Sequence, residues 1–124
     1  MTSSDRIDAV ELYERAGEHD SAGREELAIP LYEQALAAGL AGELRARCLL
    51  QLGSSLRNVD RVDEAVALLQ QARHEFPDFR PLRAFLALAL HSAGRDGEAL
   101  RELVEAIADE GDYERSLRGY AAEL

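Results

Sequence analysis

The sequence has no lysine and no tryptophan, one cysteine, one methionine and three prolines, and no apolar run long enough to span a bilayer. Each scarcity excludes something. A single cysteine, Cys48, rules out an intramolecular disulfide and any multi-thiolate metal site within one chain. Flanked by Arg47 and the apolar pair Leu49 and Leu50, it reads as a small buried hydrophobe rather than a reactive thiol. The first twenty residues lack the basic-then-apolar order of an export signal, so the chain is expected in the cytoplasm. All 14 basic residues are arginine, a bias read as genomic base composition, and 24 acidic residues leave a net charge of −10. Such a chain is repelled by phosphate backbones and anionic lipid, and no basic stripe offsets the repulsion. Neither nucleic acid nor a membrane is therefore expected as a partner.

What is abundant is Ala, Leu, Glu and Arg, all good helix formers, while β-branched residues are few. The 124 residues are one domain's worth, 1–124, and 47% hydrophobic content suffices for a real core. In "RVDEAVALLQQARHEFPD" the residues Val62, Ala65, Val66, Leu69, Ala72 and Phe76 recur at steps of three and four, one face of a helix, with Pro77 ending it. Short breaks at Gly23, "NVD", "HSAGRDG" and "DEGD" separate similar segments. The spacing predicts about seven helices, at 5–20, 25–38, 43–57, 61–75, 80–93, 96–108 and 113–122, joined as antiparallel hairpins. Ser4 and Asp112 are the expected N-caps of the first and last.

Laid against itself, the chain repeats. "EELAIPLYEQAL", "VDEAVALLQQAR" and "DGEALRELVEAI" align through Ala28, Ala65 and Ala99, at separations of 37 and then 34 residues. With Leu49, Leu52, Gly53 and Leu56 ahead of Ala65, Leu69 and Ala72, and Pro77 at the exit, the middle unit resembles the tetratricopeptide repeat. The third unit keeps Leu86, Leu90, Gly94, Ala99, Leu103 and Ala106, but has Ala87 for the glycine, Arg83 for the first large residue and Gly111 for the proline. The first keeps Leu12, Ala16, Gly23, Ala28, Tyr32 and Ala35, with Arg15 and His19 at positions the family makes apolar. The resemblance implies an all-α solenoid of three helix hairpins, at about 8–41, 45–78 and 79–112, and a C-terminal capping helix, 113–124, shielding the last hydrophobic face. "LGSSLRN" and "PLRAFLALALHSAGR" are similar to segments of short bacterial members with three repeats. Gly53, costly in a lone helix, is explained by close helix crossing opposite Ala65 and Ala72.

The resemblance also implies a function in protein–protein interaction, as a scaffold or adaptor, with the first helix of each hairpin lining a concave groove. Carried over by alignment, the groove comprises Tyr13 from the first unit, Arg47, Leu50, Gln51, Ser54, Arg57 and Asn58 from the second, and Phe85, Leu88 and His91 from the third. Apolar anchors, amides for a peptide backbone and cations for a carboxylate suit a peptide or a partner helix. Arg47, however, has Glu43 at ion-pair spacing. The Lys and Asn clamp with which some family members hold chaperone tails is absent, its aligned positions being Tyr13, Gly17, Gln51, Pro81 and Phe85. No catalytic, cofactor or metal site is expected: His19, His74 and His91 lack any shared spacing, and "DEGDYE" lacks the ligand order of a calcium loop. The alternative to a partner-binding groove is a homodimer, a structural or assembly element that buries its apolar inner face or its ends.

Overall fold

The computed structural model describes residues 8–108 and 114–124. It contains α1 (Ala9–Ser21), α2 (Glu25–Ala37), α3 (Gly42–Asn58), α4 (Val62–Glu75), α5 (Pro81–Ser92), α6 (Asp96–Ala108) and α7 (Glu114–Ala121), with no strand among the described residues. The most extensive pairings are α1 with α2, α3 with α4 and α5 with α6, which are the three hairpins. Helix α1 starts at Ala9, later than its spacing predicts, because the Asp8 carboxylate accepts the backbone N–H of Val10 at 2.9 Å and caps the first turn. The expected caps Ser4 and Asp112 lie outside the described residues.

The three hairpin turns are copies of one another. Gly23, Asp60 and Gly94 occupy equivalent positions at φ of 77°, 68° and 76°. After each comes an arginine, Arg24, Arg61 or Arg95, whose N–H donates back to the carbonyl of His19, Leu56 or Leu90, at 2.8 Å in all three. This left-handed closure satisfies the orphan carbonyls of the outgoing helix and turns the chain directly into the next. Asp60 is the one described non-glycine residue with positive φ, tolerable because a short polar side chain visits that region at lower cost than a branched one.

Packing between hairpins follows a rule. Helix α3 lies on α2 and touches α1, and α5 lies on both α4 and α3. Each hairpin's apolar face is thereby roofed by the first helix of the next one, giving a continuous core that runs from Leu12 and Tyr32 through Leu52 and Leu69 to Leu86 and Leu90. Helix α7 breaks the rule, since among the described residues it packs on α6 and not on α5.

Gly53 lies inside this core, but its neighbour differs from the expected one. A Cβ built there would stand 2.6 Å from both Cγ and Cδ2 of Leu69, so glycine makes room for a leucine side chain from α4 rather than for the backbone around Ala65. The two serines that follow divide in role: Ser55 is buried and Ser54 half-exposed. Gly53→Leu is expected to cost about 1–3 kcal/mol through overpacking. In a Leu69→Ala background, Gly53→Ala should become neutral or favourable, because alanine is about 1 kcal/mol better than glycine in a helix. Urea denaturation of the four-member cycle measures this, and additive effects would mean that the two side chains do not meet. At the equivalent turn, Asp60→Val should cost about 1–2 kcal/mol and Asp60→Gly nothing, read from the same unfolding curves.

Candidate functional site: the open face of the first helices

The central first helix, α3, has two faces. Leu49, Leu52 and Leu56 point into the core, and the opposite face carries Arg47, Leu50, Gln51, Ser54, Arg57 and Asn58. A helix face turned away from the core is ordinarily open to solvent. Here Leu50, Gln51, Ser54 and Arg57 are each half-buried, because α1 and α5 flank α3 on either side. Helix α3 thus lies between the neighbouring first helices, which partly cover its outward face.

Tyr13 stands on the α1 wall. Its ring lies 6.1 Å from that of Tyr32, tilted by 47°. Burial raises the Tyr13 pKa, with Arg47 and Gln51 acting in the opposite direction. Gln51 has a buried carboxamide oxygen with no hydrogen-bond partner among the described residues. Behind it Tyr32 donates to Asp20 Oδ2 at 2.8 Å, and the Cys48 thiol, fully buried, lies 3.7 Å from the Tyr32 carbonyl oxygen. Burial pushes the Cys48 thiol up to about 12, which fits an inert core residue rather than a nucleophile.

The cations of the groove are engaged within the fold. Arg47 pairs with Glu43 at 3.0 Å, one helical turn away, and Arg57 Nε donates to Ser92 Oγ at 2.9 Å, tying α3 to the end of α5. Exposed Asn58 closes the end of α3, and half-buried Phe85 packs from the α5 wall against the core. His91 and Leu88 belong elsewhere. His91 Nδ1 meets Asp96 Oδ1 at 2.7 Å, and both His91 and Leu88 line a cavity of about 410 Å³ between α5 and α6, together with Ala84, Ala87, Leu100 and Leu103. Leu100 and Leu103 of that cavity were not among the expected groove residues, although alignment matches them to the core residues Val66 and Leu69. His19 is half-buried at the first turn, where its Nδ1 accepts Arg24 Nε at 3.1 Å, rather than packed in the core.

Between the second and third hairpins lies a cluster of charges. Arg73 reaches Glu102 at 3.2 Å, with both side chains largely buried. Burial raises the Glu102 pKa, while Arg73 and Arg83 act in the opposite direction. Glu64 and Glu98, on the surface, are held below the usual carboxylate range by hydrogen bonds from Arg61 and Arg95. The signs are therefore opposed. Glu102 ionises less readily in the fold than in the unfolded chain, so it weakens the fold at high pH and this penalty is lifted as pH falls through its folded pKa. Glu64 and Glu98 contribute stability above their unfolded pKa values, and lose it as pH falls through their depressed folded values. Carbon-detected NMR titration should place the Glu102 midpoint above the ordinary glutamate range and those of Glu64 and Glu98 below it. A Glu102 midpoint alongside the exposed glutamates would contradict its burial between hairpins.

No group of three or more His, Cys, Asp or Glu side chains among the described residues is arranged to hold a metal ion, and no described helix is long and apolar enough to cross a membrane. Helix hairpins stacked so that each roofs the last, with one face of the first helices left open, define an all-α helical-repeat solenoid. The chain belongs to the tetratricopeptide repeat family, whose model, described as "Tetratrico peptide repeat", matches residues 9–124. Members of this family are generally non-enzymatic repeat scaffolds that bind protein partners. No curated protein matches the chain.

Proposed function

We propose that the protein is a scaffold or adaptor that holds a peptide or helix of a partner protein in the groove floored by α3. The observation that carries this reading is the half-burial of Leu50, Gln51, Ser54 and Arg57 on the face of α3 turned away from the core. That face is partly covered and mixed in polarity, as a recognition surface should be. Leu50 and Phe85 offer apolar contact, while the amide groups of Asn58 and Gln51 can pair with a peptide backbone. Arg47 and Arg57 each give one N–H, to Glu43 and Ser92, and keep others for a carboxylate, while Glu43 offsets the charge of Arg47, so the groove favours an uncharged or weakly acidic ligand over a strongly anionic tail.

Selection from a displayed random-peptide library tests the proposal. Peptides retained by the parent should lose at least tenfold in affinity, about 1.4 kcal/mol, with Ser54→Arg, which fills the groove floor without touching the core. Retention by the parent and the variant alike, or by neither, would count against the groove.

A second reading, self-association, is favoured by one specific observation. Of the nine large hydrophobic residues exposed on the described surface, six lie at the C-terminal end on α5, α6 and the segment 114–124: Leu88, Leu100, Leu103, Ile107, Tyr120 and Leu124.

A further inference from the structure

Equivalent positions on the three second helices locate the source of this patch. Ile29 and Val66 are each 3% exposed, whereas their counterpart Leu100 is 50% exposed. Tyr32 and Leu69 are at 0% and 1%, and their counterpart Leu103 is at 40%. The difference is the roof. Helices α3 and α5 cover the first two hairpins, but α7 covers only one flank of α6. The Arg101 guanidinium fixes that placement by donating to the carbonyls of Ala121 and Leu124, which holds the end of α7 beside the first turn of α6. Leu100, Leu103 and Ile107 follow one another at steps of three and four, forming a stripe between the α7 flank and α5. The result is a trough with an apolar floor, α5 as one wall and α7 as the other, and it continues the interface by which each hairpin of this chain packs on the next.

The same end of the molecule also carries a ridge. Tyr120, 68% exposed, and Leu124, 43% exposed, stand four residues apart at the end of α7. We infer that the trough binds a second copy of this chain in an isologous, two-fold pair, the Tyr120 and Leu124 ridge of each copy lying in the trough of the other. This deepens the self-association reading and rests on it. Two further observations select this occupant. The opposite end of the molecule is charged, with Glu11, Glu14, Arg15 and Glu18 of α1 exposed and Val10 the one exposed large hydrophobic among the described residues of that helix. Head-to-tail stacking of α1 into the trough would therefore bury charge, the Glu11–Arg15 pair together with Glu14 and Glu18, whereas pairing of like ends closes at two copies. Charge points the same way. Residues 81–124 hold five arginines against nine acidic residues, a net −4, whereas residues 8–37 hold two against eight, a net −6, so of the two ends this is the one where two acidic molecules repel less.

Light scattering coupled to size exclusion, run over a concentration series, tests the pairing. The parent should approach twice its 13.7 kDa mass. Leu103→Glu in the floor and Tyr120→Asp on the ridge should each raise the dimer dissociation constant tenfold or more with an unchanged circular dichroism spectrum. Leu27→Glu, at an exposed apolar position on α2, should leave it unaltered. Because Tyr120 is mostly exposed, its substitution reads the interface even if Leu103→Glu disturbs folding. A parent that stays monomeric at every concentration would overturn self-association itself, as it would if α7 moved to cover its own trough. A dimer that survives both substitutions would leave self-association standing and overturn the trough. A mass that grows without limit would overturn the two-fold arrangement.

Discussion

A hairpin of two helices buries the surface between them and leaves a second apolar face with nothing of its own to cover it. Every hairpin here inherits that requirement, and the chain meets it by laying the next first helix across both helices already in place. Ile29 and Tyr32 are sealed by α3 in this way, and Val66 and Leu69 by α5. Burial of each leucine-sized side chain is worth roughly 1.5–3 kcal/mol, so the roof is where the repeats become one cooperative structure rather than three marginal ones. The groove is a by-product of the same rule. Once α3 is wedged between α1 and α5, its far face is partly covered, and Leu50, Gln51, Ser54 and Arg57 are held half-buried there.

For a roof to land correctly, each hairpin must leave its turn in the same direction. The repeated left-handed residue and the arginine N–H that closes behind it supply this constancy, and it survives the change from glycine to aspartate at residue 60. The arginines have a second role at two of the three turns, where Arg61 pairs with Glu64 and Arg95 with Glu98. Those pairs are exposed and worth little, so the backbone geometry rather than the charge sets the turn. Stronger electrostatic consequence attaches to Arg73 and Glu102, because they are removed from water between hairpins and neither is easily left alone.

The sequence announces some of this and conceals the rest, for physical reasons. Helix existence was legible because apolar residues at steps of three and four have a single geometric meaning, and all but the first helix both start and end within two residues of where that spacing places them. The pairing of Arg47 with Glu43 was legible too, since one helical turn separates them. Arg57 with Ser92 was not, because 35 residues intervene and only the stacking of hairpins brings them together. Gly53 announced a close approach without naming Leu69, since a glycine records the space required and not the occupant. The equivalence of Leu100 and Leu103 with Val66 and Leu69 could be read by alignment, but their exposure depends on where α7 lies, and that is fixed by a guanidinium reaching 20 residues along the chain to a backbone carbonyl.

The two surfaces that remain open are of different origin, and this separates what each can do. The proposed groove follows from the roofing rule being obeyed, and its floor is mixed in polarity, with Arg57 bonded within the fold and the buried Gln51 oxygen left without a partner among the described residues. The trough exists because the rule stops being obeyed at α7, and its floor is leucine and isoleucine that were shaped for burial. Leu88 and His91, on the last first helix, mark where the one surface passes into the other. Pairing through the trough would leave the α3 floor of both copies open. Two modest sites fixed in one particle can hold a partner bearing two matching segments by orders of magnitude more tightly than either site alone, provided its linker spans them. An unroofed final hairpin and a shallow groove are in that arrangement parts of one design, in which the defect at the end of the solenoid supplies the valency that the small groove lacks.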